Sequence, residues 1–223
     1  MKKTFRTMAL CAALAAAAVA CDEKKNGNNN GNGNNDNGTT SGQVGGVTWA
    51  ACNVDDYQTF AARPDMYTKL YQWNRSTAWA ASGSISGWDS TANYSTTWTI
   101  NPCPAGWRLP TRAEQQALHN AGYTWADANT RGNAVAGMFY GTNHATASLP
   151  NNMENCVFLP AVGSRSSVSG SAGTLYNQGS FGFYWSATQN GSFNGYNLYF
   201  RSAYSDPDNG NSKTEGFPIR CVK

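Results

Sequence analysis

Six cysteines, two histidines and one tight run of carboxylates are the residues in this chain whose types could carry reactive or metal-binding chemistry. A zinc knuckle takes its ligands from residues a few positions apart, and the intervals between Cys52, Cys103, Cys156 and Cys221 are far too wide for that. In an exported domain four such cysteines form two disulfides, and three pairings are open from sequence alone. His119 and His144 stand in no spacing that would hold a metal or activate a nucleophile, so both read as surface residues. No nucleophile elbow, His-Glu-x-x-His helix, phosphate loop or dinucleotide fingerprint occurs. Asp206-Pro207-Asp208-Asn209 with Asn211 offers hard oxygen ligands of the kind calcium takes, although the same residues are ordinary turn formers. The expectation is a chain with no catalytic residue, no metal site and no cofactor.

Recognition chemistry is better represented. In Tyr196-Asn197-Leu198-Tyr199-Phe200-Arg201 the apolar residues alternate, so with Leu198 and Phe200 inward, Asn197, Tyr199 and Arg201 project to the other side. Asn194 and Tyr196 precede them, and Ser202 to Glu215 reads as a long polar loop carrying Tyr204, Asp206, Asp208, Asn209, Asn211 and Lys213. Tyrosines give rigid contact area and short polar side chains give adaptable hydrogen bonds, as in antibody loops. These eleven residues form the expected ligand-binding surface, and the expected partners are a glycan or a host or cell-surface protein. Trp185, within Tyr184-Trp185-Ser186, reads as core.

The elements that must position this surface begin after an export segment. Lys2, Lys3 and Arg6 precede an unbroken run of apolar and small residues from Met8 to Ala20, the layout of a secretory signal, and too short for a span of about 20 apolar residues. Ala18-Val19-Ala20-Cys21 resembles a lipobox, with Ala18 where leucine is usual, which makes residues 1–20 a signal and Cys21 the lipidated residue. An unlipidated cut after Ala20 would instead leave Cys21 as an exposed thiol, a liability in an oxidising compartment. Residues 21–46 are rich in Asn and Gly and too polar to bury a core. They read as a tether with a reach on the order of 25 to 30 Å. The Asp22-Glu23 pair resembles surface-export signals, so the expected location is the outer membrane, lipid-anchored and exposed at the cell surface.

The sixteen Lys and Arg lose three with the signal, leaving thirteen against thirteen Asp and Glu. The mature chain is near neutral, and nothing in its charge supports a nucleic-acid partner. Charged residues make up 13% and aromatic residues 13%, with 23 Gly and eight Trp, a profile of short strands and aromatic-rich loops. Residues 47–223 read as one domain. Val47 to Val54 looks like a strand, and Ser76 to Ser95 is an excursion packed by Trp79, Trp88 and Trp98. A helix starts after Pro110, where Thr111 and Glu114 form a capping box. Ala113, Ala117, Leu118 and Ala121 share its inner face, and Gly122 ends it. Strands follow at Cys156 to Pro160, Gly182 to Ser186, Tyr196 to Arg201 and Gly216 to Val222.

Five ordered blocks then carry a resemblance: Asn101-Pro102-Cys103-Pro104-Ala105-Gly106-Trp107-Arg108-Leu109-Pro110-Thr111, Phe158-Leu159-Pro160-Ala161-Val162-Gly163-Ser164-Arg165, Leu175-Tyr176-Asn177-Gln178-Gly179-Ser180, Tyr184-Trp185-Ser186-Ala187-Thr188 and Gly216-Phe217-Pro218-Ile219-Arg220-Cys221-Val222. Together they resemble the major paralogous domain family called FISUMP. The resemblance implies an α+β, C-type-lectin-like fold related to formylglycine-generating enzymes, with a small mixed sheet, one or two helices and long ligand-bearing loops. It also implies a Cys103–Cys221 bridge and leaves Cys52 to pair with Cys156, each closing a loop long enough to contribute roughly 3 to 5 kcal/mol. The cysteine pair that the formylglycine-generating enzymes use has no counterpart here, so kinship of fold does not carry their catalysis across. The carboxylate and amide motifs of calcium-dependent lectins are missing as well. Domains of this fold are also targets of retroelements that rewrite adenine-rich codons near the end of a gene. Arg201, Tyr204, Asp206, Asp208, Gly210, Ser212 and Thr214, set among Asn209 and Asn211, are compatible with such diversification. The readings that compete with a binding lipoprotein are a formylglycine-generating-type enzyme and a structural envelope protein.

Overall fold

The computed structural model describes residues 40–223. The expected signal segment, Cys11, the expected lipidation site Cys21 and the expected tether up to residue 39 lie outside the described residues.

The folded part begins earlier than the composition suggests. β1 (Thr40–Val44) pairs antiparallel with β2 (Val47–Ala50). Their turn is Gly45-Gly46, both at positive φ, +64° and +86°, the conformation that a two-residue hairpin of matching twist requires. The last residues of the expected tether are thus a strand and its turn. β2 then meets the other end of the chain, where Thr48 and Lys223 exchange backbone hydrogen bonds of 3.1 and 2.9 Å.

The one helix among the described residues, α1 (Arg112–Asn120), starts as its sequence dictates. The Thr111 hydroxyl accepts from the Glu114 amide, and the Glu114 carboxylate accepts from the Thr111 amide and takes Arg108 in a two-point ion pair. Its buried residues are Gln115 and Leu118 rather than the alanine row, and Ala113 faces solvent. The Gln115 amide donates to the carbonyls of Tyr184 and Trp185, so a polar side chain fixes the helix to the sheet it packs on.

After α1 come β3 (Tyr123–Ala126), β4 (Gly137–Gly141) and β5 (Cys156–Pro160), a three-stranded antiparallel sheet with β4 in the middle. A small ladder of β6 (Ser164–Arg165) and β7 (Leu175–Tyr176) follows. The second three-stranded sheet is built from β8 (Phe181–Asn190), β9 (Asn194–Arg201) and β10 (Tyr204–Ser212), with β9 in the middle. This is an α+β architecture of small sheets with one short helix. The polar run expected as a loop from Ser202 to Glu215 is therefore mostly β10. Its inward residues, Ser205 and Pro207, are small and not strongly apolar, so no hydrophobic alternation marks it as a strand. The final segment departs from expectation in the opposite direction. Gly216 to Val222 is entirely buried, but it is held by isolated bridges to Tyr71, Trp49, Arg108 and Arg165 and is not part of a continuous ladder.

The β8–β10 sheet separates two apolar cores. On its helix side Tyr184, Leu198 and Phe200 pack with Trp49, Leu118, Met138, Tyr140, Val157 and Leu159. On the other side Trp185 packs with Tyr71, Trp73, Phe217 and Ile219 around the Cys103–Cys221 disulfide. The expected Cys52–Cys156 bridge is not formed. Cys156 is a buried free thiol among Ala126, Phe139, Ala147 and Phe158, whereas Cys52 packs with Ala51 and Ala61. The two cysteines belong to separate apolar clusters, which is why the pairing by elimination fails.

Two arginines of the motif blocks are wholly buried, and among the described residues no carboxylate pairs with either. The Arg220 guanidinium donates to the carbonyls of Ala50, Ala51 and Phe158 and to Asn53 Oδ1, at 2.8 to 3.0 Å. Arg165 donates to the carbonyls of Ala80, Gly173, Ser82 and Gly83. Burial brings Arg220 down to about 10, still charged at neutral pH. Each arginine binds loops together by occupying carbonyls that would otherwise be stranded away from water.

Replacing Arg220 by Met leaves four buried acceptors without a donor and is expected to destabilise the domain by about 3 to 5 kcal/mol, read as a lowered urea midpoint. Arg220→Lys should recover little of this, because an ammonium cannot reach acceptors spread over a planar fork. Burial pushes the Cys156 thiol up to about 12, so iodoacetamide is expected to leave it unmodified in the native protein and to label it after denaturation, followed by peptide mass at Cys156.

Candidate functional site

The second sheet sets the geometry of the expected binding surface through its register. Across the face opposite the helix, Phe181 stands beside Arg201 and Tyr204, Phe183 beside Tyr199 and Asp206, and Trp185 beside Asn197 and Asn209. The first two rows are open to solvent in part. Phe181, Phe183 and Tyr199 are half-buried, and Arg201 and Tyr204 are exposed. The Tyr199 ring lies 5.9 Å from Phe181, 5.1 Å from Phe183 and 5.8 Å from Tyr204, and the Arg201 guanidinium sits 5.3 Å from the centre of the Tyr204 ring. Four aromatic rings and one cation thus form a continuous strip, with the Asp206 carboxylate on its β10 side.

The third row is closed. Asn197 is fully buried, donating to the Asn209 carbonyl while its own Oδ1 has no partner. Trp73 covers this end, 5.6 Å from Trp185 in an edge-to-face contact. A Cβ at Gly195 would run into the Trp73 ring, so the close approach needs glycine there. Lys213 is buried too. Its ammonium lies 5.5 Å from the Trp73 ring centre and donates to the carbonyls of Ser95 and Ser192, both at 2.9 Å. Asn197 and Lys213 are therefore structural, a correction to their expected role in ligand contact. Alternation correctly gives the face on which Asn197 lies, but it cannot reveal that a tryptophan from a distant segment covers that end of the face.

The remaining expected residues divide between two sides. Tyr196 lies on the helix side, where the Arg112 guanidinium stands 4.4 Å above its ring. Asp208 joins it there: the register shifts between Asp206 and Asn209, and Asp208 accepts from Arg112 Nε at 2.6 Å. That guanidinium holds Asp208 below the usual carboxylate range. Asp206 and Asp208 thus occupy opposite faces, and the carboxylate pair read as a calcium candidate does not converge on one point. Asn209 and Asn211 are half-buried and joined by a 2.6 Å side-chain hydrogen bond, and Asn194 is exposed at the far end of the hairpin. The expected site thus contracts to Tyr199, Arg201, Tyr204 and Asp206. Phe181 and Phe183 join it unforeseen, although the alternation Phe181-Gly182-Phe183-Tyr184-Trp185 carries the signal that places them on one face.

Neither histidine is a plain surface residue. His119 Nδ1 lies 3.1 Å from Ser205 Oγ, which is in turn 2.8 Å from the Tyr140 hydroxyl, and His144 Nδ1 lies 2.6 Å from Thr124 Oγ1. Ser205 is buried and its hydroxyl is shared with Tyr140, so the serine–histidine contact joins the helix to β10.

No curated protein and no solved structure matches the chain. The family model described as the Fibrobacter succinogenes major domain matches residues 17–223. That span contains all five motif blocks together with the two buried arginines, the disulfide and the aromatic strip described above, and the chain belongs to the Fibrobacter succinogenes major domain family.

Proposed function

We propose that this protein is a non-enzymatic, surface-held binding lipoprotein that takes a glycan on the aromatic strip of Phe181, Phe183, Tyr199 and Tyr204. The observation that carries the reading is the strip itself, a row of rings exposed at Tyr204 and half-buried at Phe181, Phe183 and Tyr199, beside an end of the sheet that Trp73 covers. Aromatic faces suit the C–H faces of sugar rings, and Arg201 and Asp206 supply hydrogen bonds that fix orientation. A protein partner is the alternative that the polar, tyrosine-bearing β10 would serve. The C-type-lectin-like kinship of the fold belongs to the same proposal, supported by the small sheets, the single helix and the long loops. Retroelement diversification is also part of it. β10 is the edge strand of its sheet, where changes of side chain disturb least packing.

Absence of catalysis is supported by the state of Cys156. It is buried, and burial pushes its thiol up to about 12, the opposite of what a reactive cysteine needs. In this reading residues 1–20 direct export, lipid on Cys21 holds the chain at the outer membrane, and the Asn- and Gly-rich segment lets the domain stand clear of the surface.

Two measurements test these statements. Metabolic labelling with a palmitate analogue should mark the protein and disappear in Cys21→Ser; label that persists would put the anchor elsewhere. On arrays of glycans and mucins, Tyr199→Ala and Tyr204→Ala should lose binding by at least about tenfold, while Tyr196→Ala, on the helix side, should bind as the parent does. A blank glycan array with retained binding to a protein would favour the protein partner, and loss in Tyr196→Ala alone would put the site on the wrong face.

A further inference from the structure

Away from the strip, a cleft of about 290 Å³ opens between the segment around Asp55 to Lys69 and the excursion at Ala80, Ala81 and Ser82, with Gln178 at its side. Both walls are fixed before any ligand arrives. On one side the Asp55 carboxylate accepts from the Lys69 amide at 3.1 Å, and the Tyr71 hydroxyl donates to the Asp55 carbonyl at 2.6 Å. On the other, buried Arg165 holds the carbonyls of Ala80 and Ser82, and the Gln178 amide donates to the Ala81 carbonyl at 2.6 Å. Excursions of this length and polarity are ordinarily mobile. Here a fully buried guanidinium fixes the stretch that lines the cleft.

The lining chemistry selects a class of ligand. The lining side chains offer the Asp55 carboxylate and the Gln178 side-chain oxygen as acceptors. Donors are the Tyr67 hydroxyl and the Lys69 ammonium. Asp56 pairs with that ammonium, so together with Asp55 the local charge is not positive, which disfavours an anion. With Lys69 so paired, the charge left over is that of Asp55, whose carboxylate can accept from hydroxyl groups. What fits is a neutral molecule whose groups both donate and accept, meaning hydroxyls. The volume sits at the lower limit of about 300 Å³ seen for small-molecule pockets, room for one ring and not for a chain of them.

We propose that this cleft is a second binding site, separate from the aromatic strip and independent of its function, for a single neutral sugar ring or a polyol of that size. Tyr67 and Gln178 hydrogen-bond its hydroxyls, Asp55 accepts from them, and the Ala81 face closes one side.

The test is saturation-transfer NMR on the full chain in detergent with D-glucose, D-galactose, L-fucose and N-acetylglucosamine as probes. At least one should bind saturably, with a dissociation constant on the order of 1 to 10 mM. Tyr67→Phe removes one hydroxyl and should weaken that binding about fivefold. Ala81→Trp fills the cleft and should abolish it, whereas Tyr204→Ala, on the strip, should leave it unchanged. Should Ala81→Trp fail to fold, Tyr67→Phe alone decides. The proposal is overturned if none of the four sugars binds at about 50 mM, if Tyr67→Phe binds as the parent does, or if binding survives a folded Ala81→Trp. Loss in Tyr204→Ala with retention in Ala81→Trp would likewise overturn it, assigning the signal to the strip.

Discussion

A guanidinium surrounded by carbonyl oxygens, with no counter-ion among its partners, is the interaction on which the domain depends most. Arg220 touches the end of β2, the loop after it and β5, so three segments distant in sequence meet on one planar fork. An isolated charge taken from water is costly, and here the cost is offset by four hydrogen bonds from the guanidinium to buried oxygens. The arrangement is therefore close to all-or-none, since withdrawing one segment leaves both an underused charge and stranded carbonyls. Cys221 follows Arg220 directly, so the disulfide to Cys103 keeps the arginine in register with the region ahead of the helix. Arg165 repeats the device for the Ser76 to Ser95 excursion, and Lys213 repeats it at smaller scale between Ser95 and Ser192.

This economy explains how a chain with few long elements makes a defined structure. Much of it is loop, and loops carry backbone groups that must be satisfied where they are buried. Side-chain cations and amides do that work here: Gln72 takes the carbonyls of Asp89 and Thr214, Asn53 joins Arg220 to the Tyr184 hydroxyl, and Gln115 takes two carbonyls of β8. The β8–β10 sheet can then have apolar packing on both sides at one end and an open aromatic surface at the other, because the loops that cover the first end are themselves fixed in place.

Legibility from sequence followed the range of the interaction involved. The capping box at Thr111 and Glu114 was readable because four consecutive residues contain it. The strands at Cys156 to Pro160 and around Leu198 and Phe200 were readable from apolar runs and alternation. β10 was not, because Ser205 and Pro207 face inward without a hydrophobic pattern, although its partner β9 was plain. The β1–β2 hairpin lay hidden in a stretch of tether-like composition, with Gly45-Gly46 as its local clue. Asn197 and Lys213 looked like ligand contacts because their types are polar; only the arrival of Trp73, more than a hundred residues away, makes them interior. The motif blocks mark positions of buried architecture, as Arg165, Trp185, Arg220 and Cys221 show, while the residues of the strip all lie outside those blocks.

The backbone bonds between Thr48 and Lys223 have a mechanical meaning. A pull applied at residue 40 reaches the domain through the β1–β2 hairpin, which can be unzipped one pair at a time. β2, by contrast, is tied to the terminal segment, and that segment is riveted by Cys221 to Cys103. Tension would be expected to strip the outermost strand first and then stall at a covalent cross-link. The sheet that bears the aromatic rings lies beyond that stop, so it keeps its form while the hairpin yields.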